Sequence, residues 1–543
     1  AMSTLSSSEE HFQHVEAEGR QTGSGPRSTA ISGAVVGGVA GLIASGAMLY
    51  AGMIWGGSIL PQLIAERTTA ELPLSVVRDA LTSLEENAKP AALIGITLGQ
   101  VAAGAVIGAL FSLVARRGGA SRLASGALLG VGVWLVLSLG AAPLGDIGPF
   151  AVDSPLGTAE TQATFILSAL LFGFVVATFV PWPDPDIAEN PSRRSLLRAG
   201  GLAALALPAL AAAGYVGNRA NQLRTSVDAA EGVRDAEGEG PFEILGMPEF
   251  YTPVGAFYVV SKNITDPTVD STEWSLEIDG KVDNPMTLSY TDIMSRETTE
   301  FASTLECISN RVGGSYISNT TWTGFPLRDL LEEAGIQDGV VDIRLEAADG
   351  YTESIPLDEA MQSDTMLVYL MDGEPLTDDH GYPLRLIVPN IFGMKNVKWI
   401  TKIEPIDYDY MGYWQERDWS DVATVVTMSR IDIPGHEEEF TIGETVQIGG
   451  VAFAGDRGIS RVEVSVDGGE TWNDADLSDA PSDLTWRLWR YDHEANEPGT
   501  HRILVRATDG DGETQTETER DPLPDGATGW DSILIEVVED TDA

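Results

Sequence analysis

Cys307 is the only cysteine among 543 residues. One thiol cannot close a disulfide within its own chain. A solitary Cys is ordinarily a small buried hydrophobe, but the surroundings of this one argue for chemistry. It ends a strand-like run and leads into Ile308-Ser309-Asn310-Arg311. Farther on stands Trp322-Thr323-Gly324-Phe325-Pro326-Leu327, which opens the helix-like RDLLEEAG. A second group of chemically able residues lies in DDHGYPLRLIVPNIFGMKNVKWITKIEP (378–405). Taken singly these have ordinary readings: His380 as a turn residue, Arg385 and Lys398 as surface charges.

Together the two stretches resemble the sulfite oxidase family of molybdenum enzymes. That family carries Cys-x-x-Asn-Arg followed by W-x-G-x-x-L. Later come HG-x-P-x-R, a short Gly-containing loop and VKW. The resemblance covers residues 255–540 and implies an α+β sulfite-oxidase-type molybdopterin domain. It makes Cys307 the molybdenum ligand, and a soft thiolate suits such a metal. By position it places His380, Arg385, Asn396, Val397 and Lys398 on cofactor-contacting positions, with Asp349 in LEAADGY. Lys262 and Asn263 fall near the first cofactor-lining segment. Arg and Lys can hold the phosphate of a molybdenum–molybdopterin cofactor by charge-assisted bonds. His and Asn can meet the donors and acceptors of its ring. The candidate catalytic residues are Cys307, Arg311 and Trp419.

The departures from the family concern the substrate. Sulfite-oxidising members hold their dianion among arginines beside a tyrosine. Here the first arginine position falls in the Val259-Val260 region, a second is Val312, the tyrosine is Trp419, and a late arginine aligns with Asp525. Arg311 and Arg417 survive at positions not tied to that pocket. A dianion needs such charges, so the expected substrate is a small molecule other than sulfite. A reductase of S-oxides or N-oxides with the same centre is the alternative enzyme, favoured by an apolar aromatic pocket. A non-catalytic surface binding protein is the alternative from another class. Its cost is the retention of Cys307, His380, Arg385 and Lys398.

The elements that must position these residues follow from pattern. Residues 251–430 alternate short strands with few helices: strand-like FYVVS (257–261), WSLEIDG (274–280), VDIRLEA (341–347) and LRLIVP (384–389), and helix-like 290–296, 327–334 and 357–361. This is not the regular alternation of a Rossmann fold, and no Gly-rich nucleotide loop opens a helix. Residues 431–543 read as all-β. In RVEVSVDGG, Val462, Val464 and Val466 share one face, and Asp467-Gly468-Gly469 marks a turn. We expect an immunoglobulin-like sandwich. VEVSVDGGETW, WRLWRYD and LVRATDGDG resemble the dimerisation domain of the same family, implying a homodimer.

Ahead of this lies a membrane α-helical N-terminal region. Residues 1–30 are polar and expected to be disordered. Four uncharged apolar stretches follow, Ile31–Trp55, Ala91–Val114, Leu123–Ala142 and Ala163–Val180, each about the 20 residues that cross a bilayer. A fifth, to Gly217, follows Ser192-Arg193-Arg194-Ser195-Leu196-Leu197-Arg198, which resembles a twin-arginine export signal. The membrane region is thus expected over 31–217, with an acidic linker over 218–250. Basic loops (Arg116, Arg117, Arg122; Arg193, Arg194, Arg198) point to the cytoplasm. The expected localisation is a multi-pass cell-membrane protein, in contact with lipid, with its catalytic domain extracytoplasmic. None of the six His lies in a span and no haem-attachment Cys motif occurs. A separate electron carrier is implied: a copper protein, a cytochrome or a membrane quinone system.

Composition closes other options. Formal net charge is −48, with 81 acidic against 33 basic residues, of which six are Lys. Nucleic acid, which requires basic patches, is excluded as a partner. The balance resembles that of proteins from salt-loving archaea, where solvated carboxylates maintain solubility. With 43% hydrophobic residues and 12 Trp, the bulk of the chain can fold.

Overall fold

The computed structural model describes residues 26–55, 58–71, 88–115, 122–180 apart from 146, 153, 155 and 156, and 242–539 apart from 243, 264 and 265. The fifth apolar stretch with its arginine pair, Arg116, Arg117 and most of the 218–250 linker lie outside the described residues. The chain divides into two units, Ala1–Gly217 and Asn218–Ala543.

The first unit is helical: α1 (Pro26–Trp55), α2 (Leu60–Glu71), α3 (Ala88–Ala115), α4 (Arg122–Val136) and α5 (Thr158–Phe179). α1 begins at Pro26, inside the segment expected to be disordered; proline suits a first helical position because its missing N–H has no partner there. α4 continues through a π turn at Leu137–Ala141, directly before Pro143, which lacks the N–H that a regular turn would use. Four stretches, Thr29–Gly52, Ala92–Val114, Leu123–Leu144 and Thr158–Phe179, are long and apolar enough to cross a membrane. They coincide with the four expected ones. Large apolar side chains such as Leu98, Val106, Leu123 and Leu128 stay exposed, as lipid-facing positions would. Glycines bring backbones together in two places. A Cβ on Gly37 would lie 2.8 Å from Gly108 Cα, and one on Gly173 3.0 Å from Gly130 Cα. Gly95 and Gly99, of the same spacing, would meet nothing within 4 Å among the described residues, so spacing alone does not mark an interface.

The second unit opens with ten strands: β1 (Ser275–Ile278), β2 (Met286–Ser289), β3 (Thr299–Glu306), β4 (Ile317–Pro326), β5 (Asp342–Ala347), β6 (Thr352–Pro356), β7 (Met366–Met371), β8 (Glu374–Pro375), β9 (Arg385–Ile387) and β10 (Ile400–Ile406). They form two sheets, ordered β2-β1-β10-β5-β6 and β3-β4-β7-β8, with β9 on β7. The helix expected at 327–334 occupies Leu327–Ala334. Leu327, Leu330, Leu331 and Ala334 bury one face, and Gly335, at φ 73°, ends it in the left-handed conformation that glycine adopts freely. One expectation fails: residues 257–261 form no strand. A 3₁₀ turn at Val254–Ala256 precedes them, and the Tyr258 N–H bonds a side chain of β4, the Ser318 Oγ at 3.1 Å, instead of a backbone carbonyl in a ladder.

The C-terminal strands are β11 (Met428–Ile433), β12 (Glu438–Thr441), β13 (Thr445–Phe453), β14 (Ile459–Ser465), β15 (Asn473–Asp474), β16 (Asp476–Leu477), β17 (Arg487–Glu494), β18 (Gly499–Asp509) and β19 (Asp531–Val538). They pair as β11-β13-β17-β16 and β12-β19-β18-β14-β15. Val446, Ile448 and Trp489 from one sheet and Val462, Val464, Ile503, Val505 and Ile535 from the other share a core, with Val466 packed against it. The first strand starts three residues before the expected boundary of 431. This β-rich part is tied to the strands before it. Trp486, 2% exposed, donates from Nε1 to the Phe250 carbonyl at 2.9 Å and from its backbone to Thr304 Oγ1 at 2.9 Å.

Candidate active site

Cys307 stands where β3 ends, its N–H bonded to the Tyr316 carbonyl at 3.0 Å. The loop back to β4 is shaped by Asn310. Its amide donates to Glu306 Oε1 and accepts from the Tyr316 N–H, both at 3.0 Å, while its own N–H bonds the Cys307 carbonyl at 2.9 Å. The Asn of the motif therefore builds the loop that presents the thiol. The Cys307 Sγ is buried, 3.0 Å from Ser309 Oγ. Burial pushes the thiol pKa up while the Ser309 contacts oppose the rise; a bound cation would reverse the balance by stabilising thiolate. Burial also pushes Glu306 up to about 7, against Asn310 and Arg430.

The W-x-G-x-x-L residues do supporting work around this point. Trp322 is fully buried, and the Arg385 guanidinium lies 5.1 Å from its ring centroid. At Gly324 a Cβ would come within 2.7 Å of Val368 Cα on β7. Leu327 starts the buried face of the helix.

Arg385, on β9, donates to the carbonyls of His380 at 3.1 Å and Asn396 at 3.3 Å. Its Nε is buried with no hydrogen-bond partner among the described residues. Burial pulls its pKa down to about 10. His380 closes a 3₁₀ turn, with Nε2 3.2 Å from the Val254 carbonyl and Phe257 edge-on at 5.4 Å. Burial, then the charge of Arg385, push it down to about 3, so the ring is neutral. Gly381, at φ 105°, makes the meeting possible: a Cβ there would lie 3.0 Å from Lys398 Cβ and 3.2 Å from Arg385 Cβ. Lys398 donates to the Asp379 carbonyl at 2.9 Å and lies 4.3 Å from the Trp399 ring centroid. Burial lowers its pKa; Asp266 and Asp349 pull it back and Arg385 adds to the fall.

Lys262, Asn263 and Asp349 form a second cluster. Lys262 Nζ donates to Asn263 Oδ1 and the Asp349 carbonyl, both at 3.1 Å, and stands 3.7 Å from Asp349 Oδ2. Asn263 Nδ2 donates to Asp349 Oδ2 at 2.8 Å. Lys398 couples electrostatically to both clusters, so the basic residues expected at the cofactor do converge. Asn396 and Val397 serve otherwise. The Asn396 amide accepts from the Val388 N–H at 2.7 Å and donates to the carbonyls of Ile391 and Phe392, both at 3.2 Å. Val397 packs in the core and takes the Leu386 N–H on its carbonyl at 2.9 Å. Both hold the loop rather than offer side chains.

Trp419 is half-buried, edge-on to Trp414 at 6.4 Å. Arg417 donates to the Tyr413 carbonyl at 2.6 Å, with its guanidinium 3.7 Å from the Tyr413 ring centroid. The late segment of the β-rich part reaches this region. The Pro524 carbonyl accepts from the Ser420 N–H at 3.1 Å. A Cβ on Gly526 would lie 2.7 Å from Phe392 Cζ, and one on Gly529 3.3 Å from Val312 Cγ2. Asp525 therefore sits beside the loop of Trp419. Arg311 is half-buried in the Cys307 loop.

Two features escaped sequence reasoning. Tyr258 stacks on Phe257 at 5.6 Å, and its hydroxyl lies against Gly393 at the end of β3. Burial, with Cys307, raises its pKa well above the ordinary value, while Arg385 draws it down. Lys395, 2% exposed, donates to Glu353 Oε1 at 3.1 Å, the Ser354 carbonyl at 2.9 Å and Asp421 Oδ1 at 3.4 Å. A signal existed for the lysine: in so acidic a chain, three of the six Lys (Lys262, Lys395, Lys398) stand here.

Residues 263–414 match the oxidoreductase molybdopterin binding domain, and residues 421–521 match the Mo-co oxidoreductase dimerisation domain. Over 342 residues the chain is 29% identical to a nitrate reductase [NADH] of Brassica napus, covering 51% of this chain and 37% of the relative. Over 332 residues it is 28% identical to mitochondrial sulfite oxidase of Rattus norvegicus, covering 52% and 60%. The chain thus spans less than two thirds of these relatives. The sulfane dehydrogenase SoxCD of Paracoccus pantotrophus aligns with a TM-score of 0.47 at 23% identity, over 56% of this chain and 83% of that one. Residues 263–414 and 421–521 thus match, in that order, a molybdopterin-binding and a Mo-co dimerisation domain, and the relatives that share this stretch are molybdenum oxidoreductases, sulfite oxidase and nitrate reductase among them, which implies a molybdenum–molybdopterin cofactor.

Proposed function

We propose that this chain is a membrane-anchored molybdenum oxidoreductase with its site outside the cytoplasm, moving an oxygen atom to or from a small substrate other than sulfite. The observation that carries it is the single thiol, buried at a strand end, with a basic cluster whose buried Arg385 Nε has no hydrogen-bond partner among the described residues. The donor set fits the group. Cys307 would ligate the metal, and Arg385, Lys398 and Lys262 would hold the phosphate of the pterin. Neutral His380 and the Asn263–Asp349 pair would meet polar ring edges. The bound cofactor supplies two-electron oxygen-atom transfer.

The chain's residues position and select. Trp322 and Gly381 fix Arg385, and Asn310 fixes the thiol. The walls disfavour an oxyanion: Val312, Trp419 and Asp525 stand where cations are needed, while Arg417 and Lys262 are engaged elsewhere. The aromatic side chains Tyr258 and Trp419, in place of cations, favour, as second reading, a reductase of S-oxides or N-oxides. The basic loops support an outward-facing unit, and an immunoglobulin-like sandwich over 431–543 would pair two copies. A separate copper protein, cytochrome or quinone pool would exchange the electrons. Metal and pterin analysis of the purified chain, with a substrate screen against artificial electron carriers, tests the reading. Absence of molybdenum from a chain produced in a molybdenum-replete host would defeat it.

A further inference from the structure

We propose that the Tyr258 hydroxyl determines specificity in this pocket by donating a hydrogen bond to the oxygen of a neutral S-oxide or N-oxide. The inference rests on the molybdenum reading above and names its substrate class. Tyr258 is held in three ways: its backbone N–H bonds Ser318 Oγ at 3.1 Å, Phe257 stacks on its ring at 5.6 Å with planes 16° apart, and the Tyr316 ring stands at 6.3 Å. Its hydroxyl is placed by a glycine. A Cβ on Gly393 would fall 2.7 Å from that oxygen and 3.3 Å from the Glu306 carbonyl, so the hydroxyl lies at the end of β3, where Cys307 begins. Tyrosine hydroxyls packed into protein normally find a partner, yet this one has none among the described residues. The residue keeps partial exposure, so a substrate can reach it. The positive charge felt at Tyr258 is that of Arg385, whose guanidinium is taken up by the His380 and Asn396 carbonyls and the Trp322 face, while the positions where the family's substrate arginines are expected hold Val312 and Asp525. A neutral S–O or N–O dipole needs one donor; sulfite or nitrate needs several cations.

The reaction balances as R₂S=O plus two electrons and two protons giving R₂S and water. The sulfur–oxygen bond breaks and its oxygen leaves as water. The electrons come from reduced viologen in the assay and from the separate carrier in the cell.

The test uses the full-length, molybdenum-loaded chain in high salt, with dimethyl sulfoxide and trimethylamine N-oxide as probes. Tyr258→Phe keeps the stacked ring and removes only the O–H. We expect kcat/KM for both oxides to fall roughly ten- to hundredfold, with molybdenum content unchanged. Competitive inhibition by dimethyl sulfide, which lacks the oxygen, is expected to be unaffected, whereas a structural lesion would shift it too. Gly393→Ala, which displaces the hydroxyl, should lower the same kcat/KM. A loaded wild type inert towards both oxides, or a Tyr258→Phe variant with unchanged kcat/KM, overturns this proposal and leaves the parent reading intact. A wild type that binds no molybdenum defeats the parent reading.

Discussion

Lys395→Met removes the one cation inside a buried ionic knot. Lys395 and Glu353 are 3% and 0% exposed at the side chain, and Nζ lies 3.1 Å from Glu353 Oε1. Glu353 also accepts from Gln415 Nε2 and the Tyr351 hydroxyl, each at 3.1 Å. The knot therefore joins β6 to the loop bearing Asn396 and Lys398, and to the loop bearing Arg417 and Trp419. Methionine keeps the volume but strands the carboxylate, so unfolding free energy should fall by about 3–5 kcal/mol. Burial already raises the Glu353 pKa, and Lys395 is the largest opposing influence. Without it the folded pKa rises further above the unfolded value. A group so raised contributes stability below its unfolded pKa and loses it as pH rises through the folded one. The deficit of Lys395→Met should therefore be small near pH 4–5 and full at pH 8, and adding Glu353→Gln should recover most of it. Denaturant unfolding of the solubilised full-length chain in high salt, read by Trp fluorescence, measures this. A loss under about 1 kcal/mol, or one independent of pH, would refute the reasoning.

Sulfite oxidation should be poor. Each absent charge-assisted bond costs roughly 1.5–3 kcal/mol, and two would lower affinity by about two to four decades. A steady-state kcat/KM near the ~10⁴–10⁸ M⁻¹s⁻¹ usual for an enzyme on its own substrate would contradict that. His380, held down to about 3 against an ordinary 6.5, makes the unfolded chain take up a proton first as pH falls. Stability should then drop from about pH 6.5 towards 3, by at most about 5 kcal/mol, and His380→Gln should flatten this limb of a pH–stability curve. Protease added to intact cells should cut within 218–250 and release the catalytic unit; cutting only after lysis would reverse the proposed orientation.

Much of the frame was legible because local pattern and burial agree. Leu327–Ala334 shows helical spacing and ends at a glycine, and the four apolar stretches carry no charge to satisfy. Cys307, His380, Arg385 and Lys398 lie in two short motifs, one at the end of β3 and one around β9 of the same sheet, so their types and spacing could be read locally. What stayed hidden depends on distant partners. Glu353 and Lys395 are 42 residues apart, and nothing local marks either as half of an ion pair. Residues 257–261 are strand-like in their run of aromatic and β-branched types, but the turn before them and Ser318 take Tyr258 out of any ladder. Asn396 reads as a ligand by type, yet three backbone groups of its own loop use up its amide.

The central claim is that Cys307 holds molybdenum. Serine offers a harder ligand that mostly stays protonated, so coordination should weaken. The direct measurement is molybdenum and pterin content, with the metal's spectrum, for purified wild-type and Cys307→Ser chains prepared in parallel. The account predicts about one molybdenum per wild-type chain, and in the variant a lost or altered centre without turnover. A Cys307→Ser chain with the same spectrum and full activity would contradict it.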